Sequence, residues 1–444
     1  MKTPAPFCVR GALAGICLSL AALQSIPSSQ AALLPEDVDV TVDFDYALIP
    51  AAQPETVILN VGLNPKKLGS AGDRPPVNLA LVIDRSGSMG GEKIAAARQG
   101  ALEAIERLSH NDRLTIVAYD HEATVVYPSG LLDRARASQA IARLQSRGNT
   151  NIYAGLQLAA AQSAEYRTAE RFDRMILLSD GLANSGPSKP TDFARLGREL
   201  ADEAISVSTI GLGIDYNEDL MTRLSAAGQG NAYFASKPTE LAGIFESEIG
   251  DVLNVVGTNA TIQVHLSEGE IAGNRVSIDI NQLYAEQEKY ALVEVALPAH
   301  TSGALAMVGE VSVAYDSLAN DSRRIQVTTL AHVRASDDMA AIAASVNPEV
   351  VRQIAFNETA DDQDRAIALF DAGRAADASE LLRARVQANA TLNEEIQDAA
   401  LADFNSLFGS QTEAVAADGM DKEARKSLRT ESYQVRNQQT IDSN

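Results

Sequence analysis

Three separated segments of this chain end in oxygen-bearing side chains that could share one cation. The first is Asp84-Arg85-Ser86-Gly87-Ser88-Met89-Gly90, a D-x-S-x-S pattern directly after an apolar run. The second, Gly148-Asn149-Thr150-Asn151-Ile152, sets Thr150 ahead of a helical stretch, and the third, Leu177-Leu178-Ser179-Asp180-Gly181, sets Asp180 at the end of another apolar run. Asp84, Ser86, Ser88, Thr150 and Asp180 together offer two carboxylates and three hydroxyls, with neither His nor Cys. Such a set suits a hard divalent cation that keeps part of its water: Mg²⁺ is the first choice, Mn²⁺ or Ca²⁺ are the alternatives, and zinc is disfavoured. Taken singly, D-x-S-x-S is a weak signal, because Asp and Ser also cap helices by accepting backbone N–H bonds. A cap accounts for Ser86 or Ser88 but leaves Thr150 and Asp180 unexplained.

These positions need a particular scaffold. Over 77–255 apolar strands alternate with helical stretches. VNLALVI at 77–83 reads as a strand covered on both faces, and 92–108 carries Ile94, Ala97, Ala101, Ala104, Ile105 and Leu108 at helical spacing. Further strands are expected over 114–119, 124–127, 175–178, 205–212 and 232–235, with helices near 135–144, 152–165, 192–204, 217–227 and 238–255. The alternation predicts an α/β fold, a doubly wound and mostly parallel sheet with helices on both faces. Ligands of such sheets sit at the carboxyl ends of the strands, where Asp84 and Asp180 both fall. Gly87 and Gly90 let the intervening backbone fold tightly there.

Residues 38–70 and 259–334 follow a different rule. Val38-Asp39-Val40-Thr41-Val42-Asp43-Phe44 and Thr261-Ile262-Gln263-Val264-His265-Leu266 alternate apolar with polar, as half-buried strands do. About seven such strands, with no helix between them, predict one antiparallel β-sandwich into which the α/β domain is inserted after a Gly- and Pro-containing linker at 66–76. Residues 336–408 are helical in character, with an αα-hairpin over 364–388 turning at Gly373-Arg374. From 409 to 444 the chain is polar and unpatterned, and a disordered tail is expected.

The segments DRSGSM, NTNIYAGL and ILLSDG resemble the metal ion-dependent adhesion site of the von Willebrand factor A (VWA, Rossmann-like) domain family, and the likeness covers about 77–255. It implies that Ser86, Ser88 and Thr150 supply hydroxyl oxygens and that Asp84 and Asp180 bind the metal directly or through water. It also implies a sixth position left for an acidic side chain of a protein partner. The Gly-Gly that the family places before its threonine is Gly148-Asn149 here, which leaves the ligand set intact. Leader, strands, A domain, strands and helical segment are together most similar to exported bacterial proteins of the calcium-activated chloride channel-like and inter-α-trypsin inhibitor heavy chain-like types. No segment after the leader is apolar enough to line a pore through a bilayer, so channel activity is not expected.

Composition sets the compartment. Residues 1–31 carry Lys2 and Arg10 without an acid, then an apolar run to about Ile26 and small residues ending at Ala31. That layout predicts a secretory signal cleaved after Ala31 and a protein exported to the periplasm or cell surface. A retained anchor is the alternative, but the apolar run is short of the roughly 20 residues that span hydrocarbon. Ile16 before Cys17 argues against a lipoprotein. Cys8 and Cys17 are the only two cysteines, so the mature chain forms no disulfide within itself. Loss of Lys2 and Arg10 takes the formal charge from -22 to -24, which excludes nucleic acid as a partner.

Other motifs carry less. Gly211-Leu212-Gly213 has Tyr216 where a dinucleotide loop needs its third Gly, no Walker A pattern occurs, and Ser86-Gly87-Ser88 is not a nucleophile elbow. His110, His121, His265, His300 and His332 form no metal-spaced cluster, and His121 after Asp120 receives no role. The sequons at Asn259, Asn320, Asn357 and Asn389 are idle in a bacterial host. A non-enzymatic protein-binding module is therefore expected. The alternative is a structural envelope or assembly protein whose metal only stabilises the domain, and a hydrolase would need a general base that the sequence does not indicate.

Overall fold

The computed structural model describes residues 37–67, 74–166, 171–267, 275–318 and 323–439. The leader at 1–31, six residues of the linker and the last five residues lie outside this range. Among the described residues the chain opens with β1 (Val38–Phe44), β2 (Leu48–Pro50) and β3 (Glu55–Pro65). It continues through β4 (Val77–Asp84), α1 (Glu92–Arg107), β5 (Arg113–Tyr119), β6 (Ala123–Leu131), α2 (Arg134–Ala142) and α3 (Ile152–Ala164). Then come β7 (Phe172–Ser179), α4 (Pro190–Asp202), β8 (Ile205–Leu212), α5 (Glu218–Ala227), β9 (Gln229–Ala235) and α6 (Leu241–Leu253). Strands return as β10 (Val255–Leu266), β11 (Arg275–Tyr284), β12 (Lys289–Leu297), β13 (Leu305–Ser317) and β14 (Arg323–Ser336). Helices α7 (Met339–Ala344), α8 (Pro348–Asp371), α9 (Ala375–Ile396), α10 (Ala399–Asp418) and α11 (Lys422–Arg436) follow.

Six strands form the central sheet in the order β6-β5-β4-β7-β8-β9, parallel except for the antiparallel pair of β5 with β6. Every residue of β4 is buried, and the two-residue period of a strand divides them between two cores. Leu79, Leu81 and Ile83 pack with Ile94 and Ile105 of α1, Ile141 of α2 and Phe245 of α6. Ala80 and Val82 pack on the other face with Leu156 of α3, Phe193 of α4 and Leu224 of α5. At about 1.5–3 kcal/mol for each large aliphatic side chain buried, a strand apolar on both faces is held at the middle of the sheet. This is the α/β architecture expected from the alternation, and it brings the ends of β4 and β7 side by side.

The alternating strands form two further sheets around a shared core, one in the order β1-β3-β12 and one in the order β11-β10-β13-β14-β2. Leu59, Leu63, Val293 and Val295 of the first meet Ile262, Val264, Val311 and Val313 of the second. Pairing is antiparallel except where the three residues of β2 run parallel to the end of β14.

The C-terminal region differs from expectation. Residues 409–418 complete α10 and Lys422–Arg436 form α11, so the expected tail is helical as far as Arg436. Phe408, Val415, Met420 and Leu428 join Ile367 and Leu382 in a helical core. The charged residues that make α11 look unpatterned have partners far away in sequence. Arg425 pairs with Glu218, Asp219 and Asp371, Lys426 with Glu218, and Arg429 with Asp219 and Asp364. No helix among the described residues is long and apolar enough to cross a membrane.

Candidate metal centre

Register places the two carboxylates. Ile83 of β4 pairs with Leu178 of β7, so Asp84 at the end of β4 and Asp180 one residue past β7 emerge together at the carboxyl edge of the sheet. Residues Gly87–Met89 then make a single 3₁₀ turn that carries Ser88, with Ser86 just before it, ahead of α1. The Thr150 loop is pinned against this turn: Gly87 N donates to Gly148 O (3.0 Å), Arg147 N to Arg85 O (2.7 Å) and Asn151 N to Asp120 O (2.7 Å). Gly148 has φ +71°, and a Cβ there would lie 2.5 Å from the His121 ring, so both conformation and space require glycine. Asn151 caps α3 by accepting from Ala154 N. Thr150 N donates to Asn184 Oδ1 (2.8 Å), and Asn184 N and Ser185 N donate back to Thr150 O, which ties the loop after β7 to the same place.

The side chains of all five candidates come to this edge. Ser86 N donates to Asp84 Oδ1 (2.7 Å) and Ser179 Oγ to Asp84 Oδ2 (2.8 Å). The Ser86 and Ser88 hydroxyls lie 3.0 Å apart, and Ser88 Oγ donates to Asp180 Oδ1 (2.7 Å). A Cβ on Gly181 would sit 3.4 Å from Ser88 Oγ and 3.7 Å from Thr150 Oγ1, so these two hydroxyls converge beside the chain at Gly181. Asp84 and Asp180 are wholly buried, Ser86 and Thr150 nearly so, and Ser88 is exposed.

Burial pushes the Asp84 carboxyl up to about 6; the Ser86 and Ser179 donors oppose the rise and the Asp180 carboxylate adds to it. One cation answers the two acids: Lys93 Nζ lies 2.5 Å from Asp180 Oδ2. With both carboxylates ionised, the cluster carries one negative charge more than its protein partners neutralise. Two carboxylates and the Ser86 and Ser88 hydroxyls in contact, with the Thr150 hydroxyl beside them, short of positive charge and open to solvent at Ser88, fit a hard divalent cation. Among the described residues no three His, Cys, Asp or Glu side chains gather as a metal cluster, so the fit depends on the hydroxyls.

Sequence reasoning missed the residues that support this edge. Ser179 stands next to Asp180 in sequence yet serves Asp84. Lys93 lies in the first turn of α1, where the helix dipole disfavours a cation. That misplacement was a readable signal, and Asp180 accounts for it. Asp120, buried just past β5, accepts from Arg85 Nε and Arg147 Nε (both 2.8 Å), Glu122 N (2.9 Å) and the His121 imidazole (2.9 Å). Against the cost of burial, the Glu122 N–H and the two arginines hold Asp120 below the usual carboxylate range. This knot joins the first and second loops, and His121 belongs to it.

Fold and site define a class: an α/β domain whose all-oxygen cluster lies on the carboxyl edge of an open sheet. Residues 78–247 match the von Willebrand factor type A domain, and the chain carries a domain of that family. An uncharacterised protein of Synechocystis is 29% identical over 269 residues, covering 56% of this chain and 63% of its own length. Human inter-alpha-trypsin inhibitor heavy chain H4 is 28% identical over 197 residues, covering 42% of this chain and 21% of its own. The chain thus spans less than two thirds of the length of these curated relatives. A solved von Willebrand factor type A structure from Catenulispora acidiphila superposes with a TM-score of 0.62 at 16% identity, covering 80% of this chain and 89% of the other. The ArnB paralog VWA2 from Sulfolobus acidocaldarius gives 0.60 at 18% identity, covering 91% and 99%. At these identities the two structures establish the fold.

Proposed function

We propose that the chain is an exported, non-enzymatic binding module that recognises a protein partner through a divalent cation, Mg²⁺ in preference to Mn²⁺ or Ca²⁺. One observation carries this reading: the buried Asp84 and Asp180 belong to one hydroxyl-linked cluster at an accessible edge and, among the described residues, have Lys93 as their single ion-pair partner. Asp84, Ser86, Ser88, Thr150 and Asp180 would hold the ion, and VWA domains are commonly protein-interaction modules that use such a site. The bound ion offers a coordination position that an acidic side chain of the partner can fill.

The protein's own groups keep the cluster in place. Ser179 and the Ser86 N–H orient Asp84, Ser88 orients Asp180, and the Asp120 knot fixes the loops on either side. His121, the imidazole on this edge, is engaged with Asp120, which supports binding over a hydrolytic role. Residues 77–255 are read as the binding domain, residues 38–70 and 259–334 as the scaffold that carries it, and the leader at 1–31 as the export signal.

The test pairs calorimetric titration of Mg²⁺ with capture of partners from the host envelope fraction, in magnesium and in chelator. Asp84→Ala and Ser86→Ala are expected to lose metal uptake and capture together. Capture that survives both substitutions and chelation overturns the reading. A metal-dependent rise in thermal stability with no effect on capture would instead support a structural staple.

A further inference from the structure

A lysine at the metal edge stands where its charge is locally unfavourable. Lys93 lies in the first turn of α1, whose dipole disfavours a cation, and its side chain is 29% exposed, so water is within its reach. Its ammonium nevertheless turns to the buried Asp180, 2.5 Å from Oδ2, its single ion-pair partner among the described residues. The loop after β8 comes up to the same side chain: a Cβ on Gly213 would lie 3.7 Å from Lys93 Nζ and 3.9 Å from Cε. The helix does not need this ammonium, so its place is to be explained by the acid.

The two oxygens of Asp180 are taken separately. Oδ1 accepts from Ser88 Oγ (2.7 Å), which lies 3.0 Å from Ser86 Oγ, while Oδ2 holds the ammonium. A cation gathered by the hydroxyls on the Oδ1 side therefore leaves Lys93 an oxygen of its own. The neighbouring arginines do not alter the local balance, because Arg85 and Arg147 face Asp120 and Glu122, two cations against two acids.

Charge then gives the lysine a role. Asp84 and Asp180 carry two negative charges when ionised and Lys93 one positive, so the cluster is singly negative alone and singly positive around a divalent cation. With a neutral residue in place of Lys93 the cluster would be doubly negative alone and neutral around the ion. We infer that Lys93 is a specificity-determining residue: it loosens the hold on the cation and leaves the loaded site one positive charge, the complement of a single carboxylate. This inference rests on the metal-docking reading above. The same ammonium repels an arriving cation and attracts an arriving anion, so its removal acts on the two with opposite sign. A purely structural contact would favour both or neither.

The test compares the full chain with Lys93→Met, which keeps an unbranched side chain and removes its charge. Mg²⁺ is titrated by calorimetry at low ionic strength. Acetate labelled with ¹³C, a free carboxylate, is then added to the Mn²⁺-loaded proteins and its binding followed by paramagnetic broadening of its NMR line. Lys93→Met is expected to bind Mg²⁺ about tenfold more tightly and acetate about threefold more weakly than the parent, the scale for one unit charge a few ångströms away in a watery dielectric. Both differences should shrink in high salt, which screens the exposed ammonium. A Met variant that binds Mg²⁺ no more tightly than the parent, or that holds acetate equally well, overturns this inference and leaves the metal-docking reading standing. Loss of Mg²⁺ and acetate together in the variant also overturns it, since it makes Lys93 a structural contact. A parent that takes up no Mg²⁺ overturns both.

Discussion

The two ends of strand β7 hold buried charge in opposite ways. At its start, Arg174 is fully buried, and its guanidinium donates to Glu248 (3.0 Å), Gln282 (3.1 Å) and the Tyr284 hydroxyl (2.6 Å). Glu248 also accepts from Asn231 (2.9 Å) and Tyr233 (3.0 Å). Nearby, Asp251 is bound by Asn231 and Gln287, and Lys289 donates to the carbonyls of Asn437 and Gln438 past the end of α11. Two acids and two cations balance there. At the other end, among the described residues, Asp84 and Asp180 have Lys93 alone. The balanced cluster joins the A domain to the sandwich and the C-terminal helices, and it is closed by its own partners. The unbalanced cluster has a vacancy in charge at the surface, which is where a ligand can contribute. Burial of charge therefore does not by itself mark a functional site; at the metal edge the shortfall of countercharge comes together with hydroxyl oxygens that reach an exposed surface.

The largest effect expected from this contrast lies in the balanced cluster. Glu248→Gln leaves Arg174 buried without its countercharge and turns an amide toward the Asn231 and Tyr233 donors. Urea unfolding should register a loss of about 3–5 kcal/mol, the range for breaking a buried pair from one side. A loss below about 1 kcal/mol would mean that the joint tolerates the imbalance as the metal edge does, and the comparison would collapse. At the metal edge the sign reverses. Asp84→Asn removes a carboxylate that burial already disfavours, and the Ser179 hydroxyl can turn from donor to acceptor toward the new amide. Without metal this variant should be about 1–2 kcal/mol more stable than the parent at neutral pH. Mg²⁺ at a hundredfold excess over its dissociation constant should raise the parent by about 2.7 kcal/mol and the variant not at all. Equal responses of the two proteins to Mg²⁺ in thermal melts would place the ion elsewhere.

How much of this was legible in the sequence follows from the range of the forces. The strands and helices of the A domain appear in local hydrophobic period, and each candidate oxygen but that of Ser88 lies within two residues of a strand or helix end, so motif and scaffold could be read together. The Arg174 joint could not be read that way. Within Phe172-Asp173-Arg174-Met175 an arginine looks like a solvent-facing break, and its partners lie on α6 and β11. The same limit hid α11. Its charges look solvated until Glu218 and Asp219, some 200 positions earlier, are folded against them, as the separation of 208 between Lys426 and Glu218 illustrates. The tail expected from residue 409 fails for the same reason, since the apolar partners of Val415 and Leu428, Ile367 and Leu382, and the acids that meet Arg425 and Lys426 all lie far from them in sequence.

Glu431 in α11 offers the third case, a carboxylate with amides in place of either a cation or a metal. Gln411 donates to it at 2.6 Å and Gln363 at 3.3 Å, while the side-chain carbonyl oxygens of both glutamines are buried without a partner. Burial pushes the Glu431 carboxyl up to about 7 from an ordinary value of 4.5, against the pull of the two amides. A carboxyl raised on folding stabilises the protein below its unfolded value and loses that contribution as pH rises through the folded value. The helical region should therefore weaken between pH 4.5 and about 7. Glu431→Gln carries no charge at any pH and brings an N–H₂ group that can serve the unpartnered glutamine oxygens. Its stability should match the parent near pH 4 to 5 and exceed it by about 1–2 kcal/mol above pH ~8. If denaturant unfolding followed across pH shows the variant less stable on the alkaline side, Glu431 has a countercharge that these contacts do not include. It would then belong with the balanced joint at the base of β7.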